Sequence, residues 1–294
     1  MEFIYWDHSY NSVLIANFII VIMLFTSLRM FSGTLAHVNA SDELLKKDNP
    51  AFGISLASVV FAIAILLSSS IYGRPEDELT LSAISTAVYG IIGISLMAIA
   101  RIVFDKIALP DISLRDEITK GNIAVAIADS GNVIASAVIL RALIIWVPNA
   151  SLSSLGAIIV AYATSQAILT SMTLIRIKRF GFKNKNKSIQ AELINGNTSM
   201  ALSFAGQKIG TAFAISIAAN LVVYETYDIQ NFLLPWVIVS MVVIALLKVL
   251  SFIAERIVLF KVDIAHEILE QKNIAVGFLR AMIYVSLAFL LAEI

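Results

Sequence analysis

Three polar residues lie on one face of an otherwise apolar segment at residues 122–146: Asp129, Asn132 and Ser136. Spacings of three and four residues bring side chains together on one side of a helix. A carboxylate, an amide and a hydroxyl in such a place can form an ion pair or line a water-filled path. Asp129 demands the most explanation, because a charge at the centre of a bilayer costs about 2.5–3.5 kcal/mol on insertion scales.

A second polar face occurs in the apolar segment at residues 198–223, where Gln207, Lys208 and Thr211 follow one another at helical spacing. Lys248 and Arg280 add one cation each to two later apolar segments. Lys208, Lys248 and Arg280 carry three positive charges, against the single negative charge of Asp129. The excess of cations favours an anionic ligand or a lipid headgroup as the partner of the polar faces.

Two interpretations of these residues stay open at the level of sequence. Asp129 can form one buried ion pair with Lys208 or Arg280 that holds two parts of the chain together. Alternatively, the same polar faces can line a water-filled path for a small ion or solute. Lys248 and Arg280 can also extend their charged ends toward the membrane surface while the stems stay in apolar surroundings.

The composition indicates that these residues are placed by membrane-spanning helices. The chain has 294 residues, of which 59% are hydrophobic and 14% charged, and its mean hydropathy is +0.87. Soluble domains have about 25% charged residues. The lysines and arginines equal the aspartates and glutamates at 21 each, so charge gives no sign of a nucleic-acid partner. We expect an all-α polytopic integral membrane protein.

Eight apolar segments are long enough to cross a bilayer, which takes about 20 helical residues. They lie at 13–31, 51–72, 83–104, 122–146, 153–177, 198–223, 233–256 and 274–292. The first has no basic flank typical of a cleaved signal peptide, so we expect it to be retained.

Basic residues predict the orientation, because short loops rich in Lys and Arg stay in the cytoplasm. Those assigned to the loops after the odd-numbered spans are Arg29, Lys46, Lys47, Arg101, Lys106, Arg115, Lys120, Arg176, Lys178, Arg179, Lys183, Lys185, Lys187, Arg256, Lys261 and Lys272. Opposite loops hold only Arg74 and Arg141 beside acidic segments. Both termini are therefore expected to face the outside, opposite the cytoplasm.

An internal repeat orders the eight spans into four units. The asparagines Asn49, Asn122, Asn197 and Asn273 recur 73 to 76 residues apart, each at the start of an even-numbered span. A glutamate precedes each asparagine by five or six residues: Glu43, Glu117, Glu192 and Glu267. A fixed period is the signature of repeat architectures. Each unit comprises two spans joined by a loop with a short amphipathic turn.

The four units share one orientation, so they are parallel repeats related by axes along the membrane normal. We expect two similar four-helix halves, residues 1–150 with repeats one and two and residues 151–294 with repeats three and four. The repeated asparagines fit helix N-caps, since Asn accepts hydrogen bonds from the first free amides of a helix. An alternative is that the four helix N-termini converge and attract an anion.

Other chemistry finds little support in the residues. The sequence "HEILE" at 266–270 resembles a metal-binding helix, but Glu267 is the repeated loop glutamate and His266 has no second histidine beside it. The chain has no cysteine. No phosphate-binding loop or His/Asp/Ser set occurs, so we expect no enzyme activity, no cofactor and no metal site. The basic segment "KRFGFKNKNK" predicts contact with anionic lipids.

The repeated segments "EITKGNIAVA" at 117–126 and "ELINGNTSMA" at 192–201 resemble the YjfL-like bacterial inner-membrane family, the domain of unknown function 350. Its members carry paired two-helix units with a glutamate followed by Gly-Asn. The other two copies, "NPAFG" and "KNIAVG", lack the glycine before the asparagine. The resemblance implies a helical inner-membrane protein and supplies no biochemical role. We expect passage of a small ion or solute, or alternatively a non-transporting scaffold in envelope stress, with a possible homo-oligomer in either case.

Overall fold

The fold is built from helices throughout the residues that the computed structural model describes, which are 8–35, 40–72, 79–147, 151–184, 187–224 and 229–293. In chain order the helices are α1 (His8–Leu35), α2 (Ala40–Leu45), α3 (Pro50–Tyr72), α4 (Leu79–Val103), α5 (Leu114–Thr119), α6 (Ile123–Trp146), α7 (Leu152–Lys183), α8 (Ile189–Ile194), α9 (Thr198–Ser216), α10 (Ala218–Leu221), α11 (Ile229–Val258), α12 (Ile264–Leu269) and α13 (Ile274–Ala292). A π-helical turn, Phe104–Ala108, follows α4 directly.

Six of the long helices are long and apolar enough to cross a membrane: α3, α4, α6, α7, α11 and α13. The helix α9 is 19 residues long but contains Gln207 and Lys208, which lower its apolar character. In α1 the apolar stretch among the described residues is shorter, Asn11–Leu24. The chain is thus a multi-pass membrane protein, and the count of eight spans stays a prediction.

Each repeat contributes a long helix, a short helix and a second long helix. The short helices α2, α5, α8 and α12 are the amphipathic turns that the sequence predicts in the loops, and each has six residues. The second long helices lie side by side in the order α3, α6, α9, α13. The first helices, α1, α4, α7 and α11, pack along this row.

Small residues allow the helices of the row to approach closely. Gly131 of α6 contacts the backbone of Ala205 on α9, and Gly206 of α9 contacts the backbone of Ala281 on α13. Glycine at such crossings lets two backbones meet without an intervening side chain. Because α6 and α9 touch in this way, the predicted halves 1–150 and 151–294 meet along the middle of the row.

Several helix ends differ from those predicted. The helix α4 contains Arg101 and α7 contains Arg176, two residues that the sequence analysis assigned to loops. Both arginines lie near the ends of the predicted segments 83–104 and 153–177, and the helices include these ends, since α4 reaches Val103 and α7 reaches Lys183. The predicted span 198–223 ends sooner, since α9 stops at Ser216 and the short α10 follows. Arg74 and Lys185, which were counted among the basic residues that predict the orientation, lie outside the described residues.

Candidate functional site

The four repeated asparagines each begin a second long helix and cap it. Asn122 accepts a hydrogen bond from the amide of Val125 at 3.2 Å, and Asn197 accepts one from Met200 at 3.0 Å. Asn49 and Asn273 do the same for α3 and α13. Capping satisfies amides that have no partner inside the helix. The capping interpretation therefore describes all four copies.

The repeated glutamates hold these asparagines in place. The amide nitrogen of Asn122 donates to Glu117 at 3.0 Å, and the same bond joins the asparagine and glutamate of the other three repeats. Lysines bond two of the carboxylates: Lys47 contacts Glu43 at 2.6 Å, and Lys120 contacts Glu117 at 2.8 Å. These lysine hydrogen bonds, followed by those of the asparagines, lower the pKa of Glu43 and of Glu117 below the ordinary value of 4.5.

The asparagines also connect one repeat to the next. Asn49 donates to the carbonyl of Ile118 at 3.0 Å, and Asn122 donates to that of Leu193 at 3.1 Å. Asn197 continues the series by donating to the carbonyl of Ile268 at 2.9 Å. Each bond joins an N-cap to the short helix of the following repeat. The N-termini are thus linked in a row, each occupied by its own asparagine, rather than converging on a shared vestibule.

The residue before each asparagine explains the Gly-Asn pair. Gly121 and Gly196 have φ values of +88° and +72°, a region that glycine enters without strain. Asp48 and Lys272 stand at the equivalent positions with φ values of 47° and 52°. The two copies without glycine therefore keep the same turn at a steric cost. The turn, not the glycine itself, is what the four repeats share.

Asp129 is neutralised by Arg101, a residue that the sequence analysis did not consider as its partner. The carboxylate is fully buried, and Arg101 donates to its two oxygens at 2.9 and 2.6 Å. Two parallel bonds of this kind are the strong arrangement for arginine and carboxylate. Ser55 of the preceding repeat completes the group by donating to Asp129 at 3.0 Å. Of the two interpretations left open for Asp129, the ion pair is present, but its cation is Arg101 rather than Lys208 or Arg280.

The fourth repeat contains the same group with its charges exchanged. Arg280 stands seven residues after Asn273, as Asp129 stands seven after Asn122. It donates to Glu255 of α11 at 2.7 Å and to Ser203 of the preceding repeat at 3.3 Å. In both repeats, one charge on the second helix therefore meets the opposite charge on the first helix and a serine of the repeat before.

The third repeat breaks this pattern. Arg176 stands 21 residues before Asn197, as Arg101 stands 21 before Asn122, but the carboxylate position holds Phe204. Arg176 instead donates to the carbonyl oxygen of Gln207 and to the hydroxyl of Thr211, both at 3.4 Å. Guanidinium has five N–H donors, so two long hydrogen bonds leave most of its capacity available. No carboxylate among the described residues forms an ion pair with Arg176.

Lys208 is a second cation in the same repeat without a carboxylate partner among the described residues. Only 2% of it is exposed. Its ammonium lies 3.7 Å from the ring centroid of Phe104, which stacks against Phe204 at 6.3 Å. A ring face attracts a cation but does not neutralise it. Asp129 and Arg176 are both close enough to Lys208 to interact with it electrostatically.

The remaining predicted residues lie around this pair of cations. Lys248 of α11 is half-buried, contacts the sulfur of Met172 at 3.5 Å and interacts electrostatically with Arg176. Ser136 accepts a hydrogen bond from Gln166 of α7 at 3.2 Å. Asn132 is buried, and its amide nitrogen has no hydrogen-bond partner within the described part of the chain. We refer to the predicted polar residues of α6 and α9, together with Arg101, Arg176, Lys248, Glu255 and Arg280, as the polar layer.

The sequence analysis did not include Arg101, Arg176 and Glu255 among the candidate site residues, although a signal was present for the two arginines. Arg101 and Arg176 stand at the same distance from their repeat asparagines, and alignment of the first helices would have paired them. The positive-inside rule instead assigned both to loops. Within the described residues, the layer contains five cations and two carboxylates: Arg101, Arg176, Lys208, Lys248, Arg280, Asp129 and Glu255.

His266 lies on the short helix α12, capped by Asp263. The described part of the chain contains no group of three or more residues of the types His, Cys, Asp and Glu that could hold a metal ion. The basic segment after Arg176 forms the end of α7, where Lys178 and Arg179 are exposed.

Comparisons with known proteins agree with the repeat and the membrane location. The family model described as Domain of Unknown Function (DUF350) matches twice, at residues 6–144 and 150–294. A UPF0719 transmembrane protein of Aquifex aeolicus is 28% identical over 122 residues, which cover 42% of this chain and 45% of that relative. No solved structure matches the chain. Since the two matches together span nearly the whole sequence, the chain belongs to the DUF350 family.

Proposed function

We propose that the protein crosses a bacterial inner membrane eight times, with both termini on the periplasmic side. The support for α9 as a span is its position: it packs along α6 on one side and α13 on the other, and both are apolar enough to cross. The distribution of basic residues supports the orientation. A single cysteine at Asp228 should react with an impermeant reagent on intact cells and one at Gln271 should not; the opposite result would reverse the topology.

We further propose that the polar layer conducts a small anion. The observation that supports this most is the third repeat, where Arg176 lacks the carboxylate that neutralises its counterpart Arg101 in repeat two, and where the buried Lys208 forms no ion pair with a described carboxylate. An unpaired charge inside a membrane costs several kcal/mol unless it is paired or hydrated. A bound anion would offset that cost at the two cations together. Binding and passage, rather than catalysis, fit these residue types.

The path would follow the layer through the interior of the row. Lys208 interacts electrostatically with both Asp129 and Arg176, and Lys248 of α11 and Arg280 of α13 interact with Arg176. Such a succession of cations lets an anion move between several weak sites, which conduction requires. The paired Arg101 and Arg280 would fix the geometry, while the unpaired cations would hold the anion.

A non-transporting scaffold is the second candidate, and the two ion pairs favour it. Arg101 with Asp129 and Arg280 with Glu255 join the two long helices of their repeats, so they act as structural links. A scaffold that uses charge only for assembly would have no need of the unpaired Arg176 and Lys208. Anionic lipids at the basic end of α7 would be partners in either function.

Anion flux into proteoliposomes separates the two functions. We expect nitrate uptake by the reconstituted wild type and at least a tenfold reduction in Lys208→Met, because the apolar chain replaces the buried ammonium at similar length. Lys178→Met is the matched control, since it removes an exposed lysine from the end of α7. Absence of nitrate uptake by folded wild type, or equal uptake by Lys208→Met, would reject the conduction proposal.

A further inference from the structure

Two serines of α11 have buried hydroxyls that form no hydrogen bond. Ser240 and Ser251 are fully buried, and neither hydroxyl has a hydrogen-bond partner within the described part of the chain. A buried polar group without a partner costs free energy, because it has given up its hydrogen bonds to water. Each of these hydroxyls therefore has an unused donor inside a helix that is apolar enough to cross a membrane.

Other hydroxyls of the long helices show that the helical backbone does not force this arrangement. A serine or threonine in a helix can donate to the carbonyl oxygen three or four residues before it. The buried Ser69 of α3 donates to Leu66 in this way, and the buried Thr173 of α7 donates to Leu169 at 2.8 Å. The two serines of α11 make no such bond, so their hydroxyls are free to donate to a ligand.

Ser251 lies among the charged residues of the third and fourth repeats. The phenol of Tyr284 on α13 lies near Ser251. It also lies near Arg176, and near Arg280, whose charge Glu255 neutralises. Arg176 forms no ion pair with a described carboxylate. Through Tyr284, the free hydroxyl of Ser251 therefore belongs to the same group of side chains as the unpaired guanidinium.

Ser240 lies further along the same face of α11. The two serines are eleven residues apart, which is about three turns and about 16 Å along the helix axis. Lys248 lies between them in the sequence, and its ammonium contacts the sulfur of Met172. Trp236, one turn before Ser240, donates to Ser165 of α7, so this part of α11 packs against α7. A hydroxyl, an ammonium and a second hydroxyl thus follow one another along α11.

We propose that Ser240 and Ser251 are hydroxyl ligands of the conducted anion, one on each side of Lys248 along α11. This inference rests on the proposed conduction and adds its route, which follows α11. Neutral donors bind an anion more weakly than cations do, and several weak sites in succession let an ion leave as well as enter. The ligand is a small monovalent anion, because these few buried groups replace too little of the water around a divalent one.

Nitrate uptake into proteoliposomes by Ser240→Ala and Ser251→Ala tests this route, because each change removes one hydroxyl and little else. Each variant should take up nitrate about fivefold more slowly than the wild type, which corresponds to the loss of one hydrogen bond. Their melting temperatures without nitrate should not fall, since no hydrogen bond within the chain is lost. Ser69→Ala is the matched control: it removes a buried hydroxyl that bonds within α3, and it should retain the uptake of the wild type.

The outcomes separate this inference from the conduction on which it rests. Wild-type uptake by both α11 variants, with uptake reduced in Lys208→Met, would overturn the hydroxyl ligands and leave the anion proposal standing. An equal reduction in Ser69→Ala would also overturn them, because any buried hydroxyl would then have the same effect. Absence of nitrate uptake by folded wild type would reject both proposals. Sulfate in excess should not slow nitrate uptake by the wild type, and competition by sulfate would contradict a monovalent ligand.

Discussion

At the scale of single residues, Asp129 and Arg280 occupy the same repeat position and carry opposite charges. Each is neutralised by the first helix of its own repeat, through Arg101 or Glu255. The sequence could predict that Asp129 needs a partner, because a lone buried charge is costly. It did not identify that partner, because the positive-inside rule assigned Arg101 to a loop although the predicted segment 83–104 includes it.

Asp129→Asn should destabilise the protein, because it leaves Arg101 without its carboxylate. Removing one member of a fully buried ion pair costs about 3–5 kcal/mol in soluble proteins, and the loss here should be smaller because 40% of the Arg101 side chain is exposed. The double variant Asp129→Asn with Arg101→Gln should recover most of the loss, since no uncompensated charge is left. Thermal unfolding of the purified single and double variants measures both effects.

Two outcomes would contradict this assignment. Recovery with Lys208→Gln in place of Arg101→Gln would return Asp129 to the partner expected from sequence. An unchanged melting temperature in Asp129→Asn would mean that water already solvates Arg101, part of whose side chain is exposed.

The repeated asparagines differ in one bond, and their alanine variants should differ accordingly. Asn197→Ala loses the cap of α9 and also the hydrogen bond to the carbonyl of Ile268. Asn273→Ala loses a cap, but its repeat is the last of the row. Cap removal costs about 1 kcal/mol, and a hydrogen bond contributes about 1 kcal/mol more. Asn197→Ala should therefore lower stability by about twice as much, as judged by chemical unfolding; equal losses would deny a role to the inter-repeat bond.

At the scale of elements, the sequence predicts the helices well and their lateral order poorly. The period of the asparagines and the short amphipathic turns led to repeats with α2, α5, α8 and α12 between long helices. Hydropathy reports which residues are apolar, but it does not report which neighbour an apolar face meets. The row became recognisable only through contacts such as that of Gly206 with Ala281.

Glycine substitutions test the row. Gly206→Ala places a methyl group against the backbone of Ala281, where nothing can move aside without separating α9 from α13. Overpacking of this kind costs about 1–3 kcal/mol. Gly156→Ala is the control, because a methyl group there meets no atom within 4 Å, and alanine favours a helix by about 1 kcal/mol over glycine. Thermal unfolding should show opposite signs for the two variants; a tolerated Gly206→Ala would argue against the close junction.

At the scale of the whole molecule, the residues that matter for function are those at which one repeat departs from the others. The sequence predicted the repeat and the family, both of which rest on regular features. The exceptional third repeat was missed because Arg176 was assigned to a loop, although its distance from Asn197 matches that of Arg101 from Asn122. With Lys208 buried and Arg176 half-buried, the layer carries more positive than negative charge within the described residues.

Thermal stability in the presence of an anion tests the proposed anion site most directly. A ligand that binds only the folded state stabilises it by about 2.7 kcal/mol at a hundred times its dissociation constant. The melting temperature of the purified wild type should rise with nitrate, relative to gluconate at equal ionic strength. Lys208→Met should not respond, whereas Lys178→Met should behave as the wild type does. An equal response in Lys208→Met, or none in the wild type, would contradict an anion site at Arg176 and Lys208.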